Sequence, residues 1–294
     1  MAHYTPLRYP GGKGKLAPFL SEVFTYNNFL DGTYIEPYAG GAGVAISLLI
    51  EGYAWDVVIN DFDPQVYAFW WSLLNKTDDL CKLIYDTPIN MVEWHRQHSI
   101  YRNPDGDKLR AGFATFFLNR TNRSGILLGG VIGGKNQNGP YKIDARYNKI
   151  KLIERIQLIA SHSKRIRVFN KDALDLLNEL KPSFTKNTLI YFDPPYYGKG
   201  KLLYQNSYSH DDHKKLSTFV RNLDIPWIVT YDDMDEIRDL YKDEKLVPFD
   251  IAYSACAERS RGNEIMFYNN LSIPLRPYTS EKQKRVMLTS SGAV

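Results

Sequence analysis

The residues best suited to chemistry are Asp193-Pro194-Pro195-Tyr196, which directly follow the apolar run 189–192. The two prolines fix φ and remove N–H donors, so the Pro194 carbonyl and the Asp193 carboxylate face outward as acceptors. Tyr196 adds a flat ring beside them. Two acceptors next to a stacking face suit a planar base that carries an exocyclic NH2 group. The plainer reading is a rigid strand exit with a packed tyrosine.

A second group lies far upstream, in Glu36-Pro37-Tyr38-Ala39-Gly40-Gly41-Ala42-Gly43. Glycines at such a turn let backbone N–H groups close on a ligand with no Cβ in the way. As a dinucleotide fingerprint the run fails: Ile46 stands where Gly or Ala is required, and Glu36 would repel a pyrophosphate. The acid instead suits a ligand joining a positive group to a nucleoside, such as S-adenosylmethionine. Asp61 stands 18 residues past Gly43, near the spacing at which an acid grips ribose hydroxyls. Its neighbour Asp63, ahead of Pro64, fits a helix cap better. Asp172 closes a later strand and suits either an adenine amino group or a helix cap. Lys13 lies in Arg8-Tyr9-Pro10-Gly11-Gly12-Lys13-Gly14-Lys15, which is no phosphate loop because Leu16 stands where Ser or Thr belongs. A lysine on a glycine turn can still meet a carboxylate, and the amino-acid end of S-adenosylmethionine has one.

Positioning these groups calls for a parallel sheet. Strands are expected over 33–36, 56–60, 166–170, 188–192 and 227–230, with closing strands over 246–251 and 264–268. Helices are expected over 44–50, 64–74, 173–180 and 235–241, and Ser209 with Asp212 forms a capping box that opens another. The polar, helical stretch 77–147 contains no strand and is interrupted by glycines over 125–140. It reads as an insertion, leaving 1–76 and 148–276 as the sheet domain and 277–294 as a frayed polar tail.

A chain of 294 residues accommodates one α/β core plus such an insertion. With 44% hydrophobic and 24% charged residues it is no disordered chain, and no apolar run approaches the roughly 18 residues of a membrane span. The start of the chain holds no apolar signal core, and two cysteines, Cys81 and Cys256, suit a reducing cytosol better than a disulfide scaffold. The net charge is only +4, yet residues 119–167 hold eleven Lys or Arg against Asp144 and Glu154. Glycine, asparagine and tyrosine are interleaved with these bases. Such a segment suits a polyanion, although a solvated helix face would look similar on charge alone.

Taken in order, these pieces resemble the Dam-type, α-group adenine-specific DNA N6-methyltransferases. The likeness rests on Pro6-Leu-Arg-Tyr-Pro-Gly-Gly-Lys13, Tyr34-Ile-Glu-Pro-Tyr-Ala-Gly-Gly-Ala-Gly43 and Ile59-Asn-Asp61. Leu118-Asn-Arg120, Tyr191-Phe-Asp-Pro-Pro-Tyr196 and Ser260-Arg-Gly-Asn-Glu-Ile265 complete it, spanning nearly the whole chain. The resemblance implies a Rossmann-like, mostly parallel sheet with helices on both faces, S-adenosylmethionine as methyl donor, and a mainly helical target-recognition insertion. It implies catalysis by Asp193, Pro194 and Tyr196 on a base everted from double-stranded DNA. It also places Tyr9, Lys13, Glu36, Pro37, Tyr38, Gly40, Gly41, Gly43, Asp61, Asp172 and Asp193 around the cofactor. No metal is called for.

Cytosine C5 methylation needs a thiolate, and neither cysteine lies in a Pro-Cys context; N4 transfer resembles a Ser-Pro-Pro-Tyr site. An RNA or protein amino-methyltransferase is disfavoured by Asp193, and a non-catalytic DNA-binding relative by the intact Asp193 and glycine turn. One departure stands out. Where relatives that read GATC carry an aromatic-Asn-Gly run, this chain has Arg123-Ser124-Gly125, and an arginine suits the O6/N7 edge of guanine. Arg120, Asn122, Arg123, Ser124, Lys135, Asn136, Asn138 and Lys142 are thereby expected at the DNA. A monomer in the cytoplasm, bacterial or phage-encoded, is expected, with a cognate restriction endonuclease as a candidate partner.

Overall fold

The computed structural model describes residues 3–9, 11–198, 208–252, 261–274 and 276–278. Ser260, Cys256 and the tail from Thr279 lie outside the described residues. Seven strands form one sheet: β1 (Gly32–Glu36), β2 (Ala54–Asn60), β3 (Ile166–Phe169), β4 (Thr188–Phe192), β5 (Trp227–Asp232), β6 (Lys245–Ala252) and β7 (Arg261–Asn269). Their order is β3-β2-β1-β4-β5-β7-β6, with β1 to β5 parallel and β7 antiparallel to both neighbours. The chain runs outward from β1 through β2 to β3, then returns to β4 on the other side of β1. In open α/β sheets ligands sit at that reversal, beyond the carboxyl ends of the strands. Glu36 ends β1, and Asp193 follows β4 directly.

The middle strands β1, β4 and β5 are buried along nearly their whole length because both faces of the sheet are covered. Side chains alternate between two cores: Tyr34, Val57, Ile59, Leu189, Tyr191 and Ile228 face one, and Ile35, Val58, Ile190, Phe192, Val229 and Ile265 face the other. On the first side lie α1 (Ala17–Tyr26), α2 (Gly43–Ile50), α3 (Pro64–Asn75) and α7 (Lys149–Ala160). On the second lie α8 (Ala173–Leu180), α9 (His210–Arg221) and α10 (Asp235–Leu240). Local signals set several helix starts. Asp63 caps α3 ahead of Pro64, Asp172 caps α8, and Ser209 with Asp212 makes the expected capping box on α9.

The stretch expected as an insertion behaves differently. Its helices α4 (Thr77–Asp86), α5 (Met91–Arg102) and α6 (Lys108–Thr121) share one apolar core with α2 and α3. Every residue of α6 from Ala111 to Asn119 is buried, so this helix is a central pillar and not a polar appendage. The tail also differs from the frayed expectation at its start, where Tyr278 is buried, packs edge-on to Phe19 and donates to the Pro18 carbonyl. Among the described residues no helix is long and apolar enough to cross a membrane.

Candidate active site

A cavity of about 1430 Å³ opens where β1 and β4 end. Each residue that the sequence placed around a cofactor lines it: Tyr9, Lys13, Glu36, Pro37, Tyr38, Gly40, Gly41, Gly43, Asp61, Asp172 and Asp193. The glycine turn is held by contacts that leave no room for larger residues. Gly40 has φ of 48°, and a Cβ there would lie 2.6 Å from the Tyr9 ring. The Gly40 amide donates to Asp61 Oδ2 at 2.9 Å, and its carbonyl accepts from Trp70 Nε1 at 2.9 Å.

Glu36 is buried, with Oε1 accepting from Tyr34 Oη at 3.0 Å and from the Ala45 amide at 3.2 Å. Burial pushes its carboxyl up to about 8, against the pull of those two donors. Burial likewise raises Asp61 to about 7, although the Asp63 and Gly40 amides donate to it. Among the described residues neither acid has a cationic partner within ion-pair distance. Phe62, which the sequence reading passed over, is exposed at the cavity wall directly after Asp61. Asp172 spends Oδ1 on the Leu174 and Asp175 amides, the helix-cap half of its expectation.

Lys13 departs from the expectation that it waits for a cofactor carboxylate. Its ammonium is buried and donates to Asp193 Oδ1 at 2.8 Å and Tyr196 Oη at 3.1 Å, with Glu264 Oε2 at 3.5 Å. Burial alone would lower its pKa, but Asp193 and Glu264 together hold it well above the ordinary lysine value. Thr230 Oγ1 also donates to Asp193 Oδ1, at 3.1 Å, and lies 2.8 Å from Tyr191 Oη. Oδ1 is therefore occupied from behind. Among the described residues Asp193 Oδ2 makes no hydrogen bond, and Asp193 lines the cavity.

Tyr196 also departs from expectation. Its side chain is buried, its hydroxyl donates to Glu264 Oε1 at 2.8 Å, and Lys13 Nζ stands 4.9 Å from the ring centroid. The cavity wall beside Asp193 is built by Pro195 and Tyr191, not by Pro194 or Tyr196. Glu264, quoted in the family likeness but given no role, and Thr230 were not expected at the site, although an acid directly ahead of the apolar run 265–268 was a usable signal.

The residues expected at DNA divide into two sets. Asn122 is buried, accepting from Trp94 Nε1 at 2.7 Å and donating to the Ile126 and Leu127 carbonyls. It shapes the turn from inside and presents no surface to a duplex. Arg120 is half-buried, its guanidinium donating to the Arg146 and Pro6 carbonyls at the cavity edge. Arg8, Arg146 and Arg155 line the same end, so four guanidinium groups cluster there with no carboxylate paired to them among the described residues. Arg123, Lys135, Asn136, Asn138 and Lys142 are exposed. Arg123 lies across Gly130, where a Cβ would sit 2.5 Å from Nη2, and its amide donates to the Gly130 carbonyl at 2.9 Å. Ser124 has φ of 57°, a left-handed value that non-glycine residues adopt at a cost. Lys142 Nζ donates to the Gln137 carbonyl at 2.6 Å, closing the loop that carries Lys135 to Asn138.

Comparison with known proteins follows the same line. The model of the D12 class N6 adenine-specific DNA methyltransferases matches residues 9–254. A type II methyltransferase, M.MjaIII of Methanocaldococcus jannaschii, is 24% identical over 240 residues, covering 74% of this chain and 79% of that protein. Another, M1.LlaDCHI of Lactococcus lactis subsp. cremoris, is 24% identical over 249 residues, covering 80% and 75%. Among solved structures, the rRNA methyltransferase aviRa of Streptomyces viridochromogenes aligns with a TM-score of 0.38 and 14% identity over 88% of this chain and 85% of that one.

Proposed function

The chain belongs to the D12 class N6 adenine-specific DNA methyltransferase family, and on that premise we propose how its cavity methylates adenine in duplex DNA. S-adenosylmethionine is the methyl donor, supplying a methyl group already activated by its sulfonium. The fit is supported by two buried acids without cations and a glycine turn that no side chain can fill. Glu36 takes the donor's ammonium, Asp61 takes ribose hydroxyls, and Phe62 offers a flat face to the nucleobase.

Asp193 Oδ2 accepts one N6 hydrogen of the target adenine, and the other is left to the Pro194 carbonyl by the motif, although Pro194 does not line the cavity and would have to turn toward the bound base. Holding both hydrogens draws the nitrogen lone pair out of the ring and aims it, and the carboxylate offsets the positive charge that forms on N6. When bound, the donor would supply its methyl group to the N6 lone pair and leave as the neutral thioether, and the methylated N6 would release its proton to water. An adenine stacked and paired cannot reach this notch, so the base is everted. The stacking role expected of Tyr196 passes in this arrangement to the wall made by Pro195 and Tyr191. Arg123 reads a guanine edge, while Lys135, Asn136, Asn138, Lys142 and the arginines at the cavity mouth hold phosphates.

The observation that carries the reading is the single carboxylate oxygen of Asp193 left open toward a cavity shared with Glu36. The test offers labelled methyl donor together with duplex DNA, RNA or protein. Label in adenine N6 of DNA is expected, and loss of it in Asp193→Ala with donor binding retained. Equal transfer by Asp193→Ala, or label found only in RNA or protein, overturns the reading.

A further inference from the structure

Glu264 is a buried acid for which the reading above has no use. It sits on β7 behind the Asp193 wall, bonded to Tyr196 and paired with Lys13. Among the described residues the charged groups gathered there are one ammonium and two carboxylates that share it.

Resting on the proposed function, we propose that Glu264 is a positioning residue for methyl transfer, sharing Lys13 so that Asp193 keeps its anionic character and its open oxygen toward the base. Paired with Lys13 alone, at 2.8 Å, Asp193 would be half of a neutral ion pair and a weaker acceptor for N6. A second carboxylate on the same ammonium returns negative charge to the wall where N6 becomes cationic, in surroundings where such charge is poorly screened. Glu264 also ends the chain Lys13–Tyr196–Glu264, which fixes the ammonium from the side away from the cavity.

Among the described residues, these groups face Glu264. Lys13 comes from the segment ahead of α1, Asp193 and Tyr196 from the exit of β4, and Tyr191 from β4 itself. Its register partner on β5 is Asp232, whose carboxylate is taken by the Tyr197 and Gly198 amides; its partner on β6 is Phe249. Glu36 lies next beyond Asp193. Burial pushes Glu264 up to about 7, Asp193 adds to this, and Lys13 and Tyr196 oppose it. Its charge is therefore gained as pH rises through neutrality.

Glu264→Gln keeps an acceptor for the Tyr196 hydroxyl and removes only the charge. Single-turnover methyl transfer to duplex DNA should slow by about tenfold at pH 8, less than the hundredfold or more expected of a direct contact. KM for DNA should stay within about twofold, and the rise in rate near pH 7 that Glu264 contributes should vanish. Tyr196→Phe, which keeps the charge, should retain that rise. Independently of activity, wild-type stability should fall with pH up to about 7 more steeply than that of Glu264→Gln. An unchanged rate and pH profile in Glu264→Gln overturns the proposal, as does identical pH dependence of stability. Loss of the rise in Tyr196→Phe as well would assign the effect to packing and overturn it too. Absence of any transfer by the wild-type protein counts against the proposed function, while the stability comparison still decides the charge state of Glu264.

Discussion

Asn119 pairs with the backbone of Arg8 as one strand pairs with another. Its Oδ1 accepts from the Arg8 amide at 2.7 Å, and its Nδ2 donates to the Arg8 carbonyl at 3.0 Å. The same Nδ2 reaches the Gly125 carbonyl at 3.0 Å. One buried amide thus fastens the segment before the glycine turn to the loop bearing Arg123. Asn119→Leu strands these buried and partly buried backbone groups, at about 1–3 kcal/mol of stability. Denaturant melts should show that loss. Methylation at sites differing by one base pair should become less selective, and unchanged selectivity would clear Asn119 of any part in recognition.

Arg123 is expected to read one base pair. Arg123→Ala should cost about 1–3 kcal/mol of discrimination at that position and little elsewhere. Gly130→Ala should do nearly the same, because its methyl group would occupy the space under the guanidinium. Sequencing of modified adenines after exposure of genomic DNA reads both. A methylation pattern identical to wild type in both variants ends the assignment.

Lys135 and Lys142 are exposed on the loop and are expected to meet phosphates. Replacing either by Ala should lower the slope of log affinity against log salt by about one, leaving base preference intact. Filter binding across a salt series measures it, and an unchanged slope removes the loop from the DNA.

The raised acids set a pH dependence for the unliganded protein. Glu36 moves from 4.5 to about 8 and Asp61 from 3.8 to about 7. The folded state binds these protons more tightly than the unfolded chain does, so their contribution is complete below the ordinary carboxylate range and is lost as pH rises toward 8. Thermal melts without ligand should decline over that interval, and Glu36→Gln should flatten the decline. Affinity for S-adenosylmethionine should run the other way, strengthening as Glu36 ionises. A melt that rises from pH 5 to pH 8 contradicts the burial argument.

Much of the sheet was readable because strong local signals agreed with tertiary demand. β4 and α8 begin and end where the pattern places them, one as an apolar run before Pro194, the other between the Asp172 cap and Pro182. α1 carried no such mark: it has no side-chain cap, and Pro18 in its first turn looks like a break. The division at residues 77 and 147 is not marked by a break in packing, because burial, not sequence continuity, decides what belongs to a core. α6 lies in a stretch that is polar on average, yet its own middle, from Ala111 to Leu118, is mostly apolar and packs against α3 and α5. In the site, single positions such as Glu36 were legible from their place at a strand end. Pairings were not. Lys13 and Glu264 are 251 positions apart, and nothing local to either foretells that they meet at Asp193.

The short stretch ahead of α1 is gripped at both ends. Arg8 is tied through Asn119 to the loop that carries Arg123, and Lys13, five positions on, is clamped to Asp193. On the proposed reading, a mismatch that shifts that loop would be felt five residues from the ammonium behind the carboxylate, so a wrong site would be expected to slow alkylation as well as weaken the hold on the duplex.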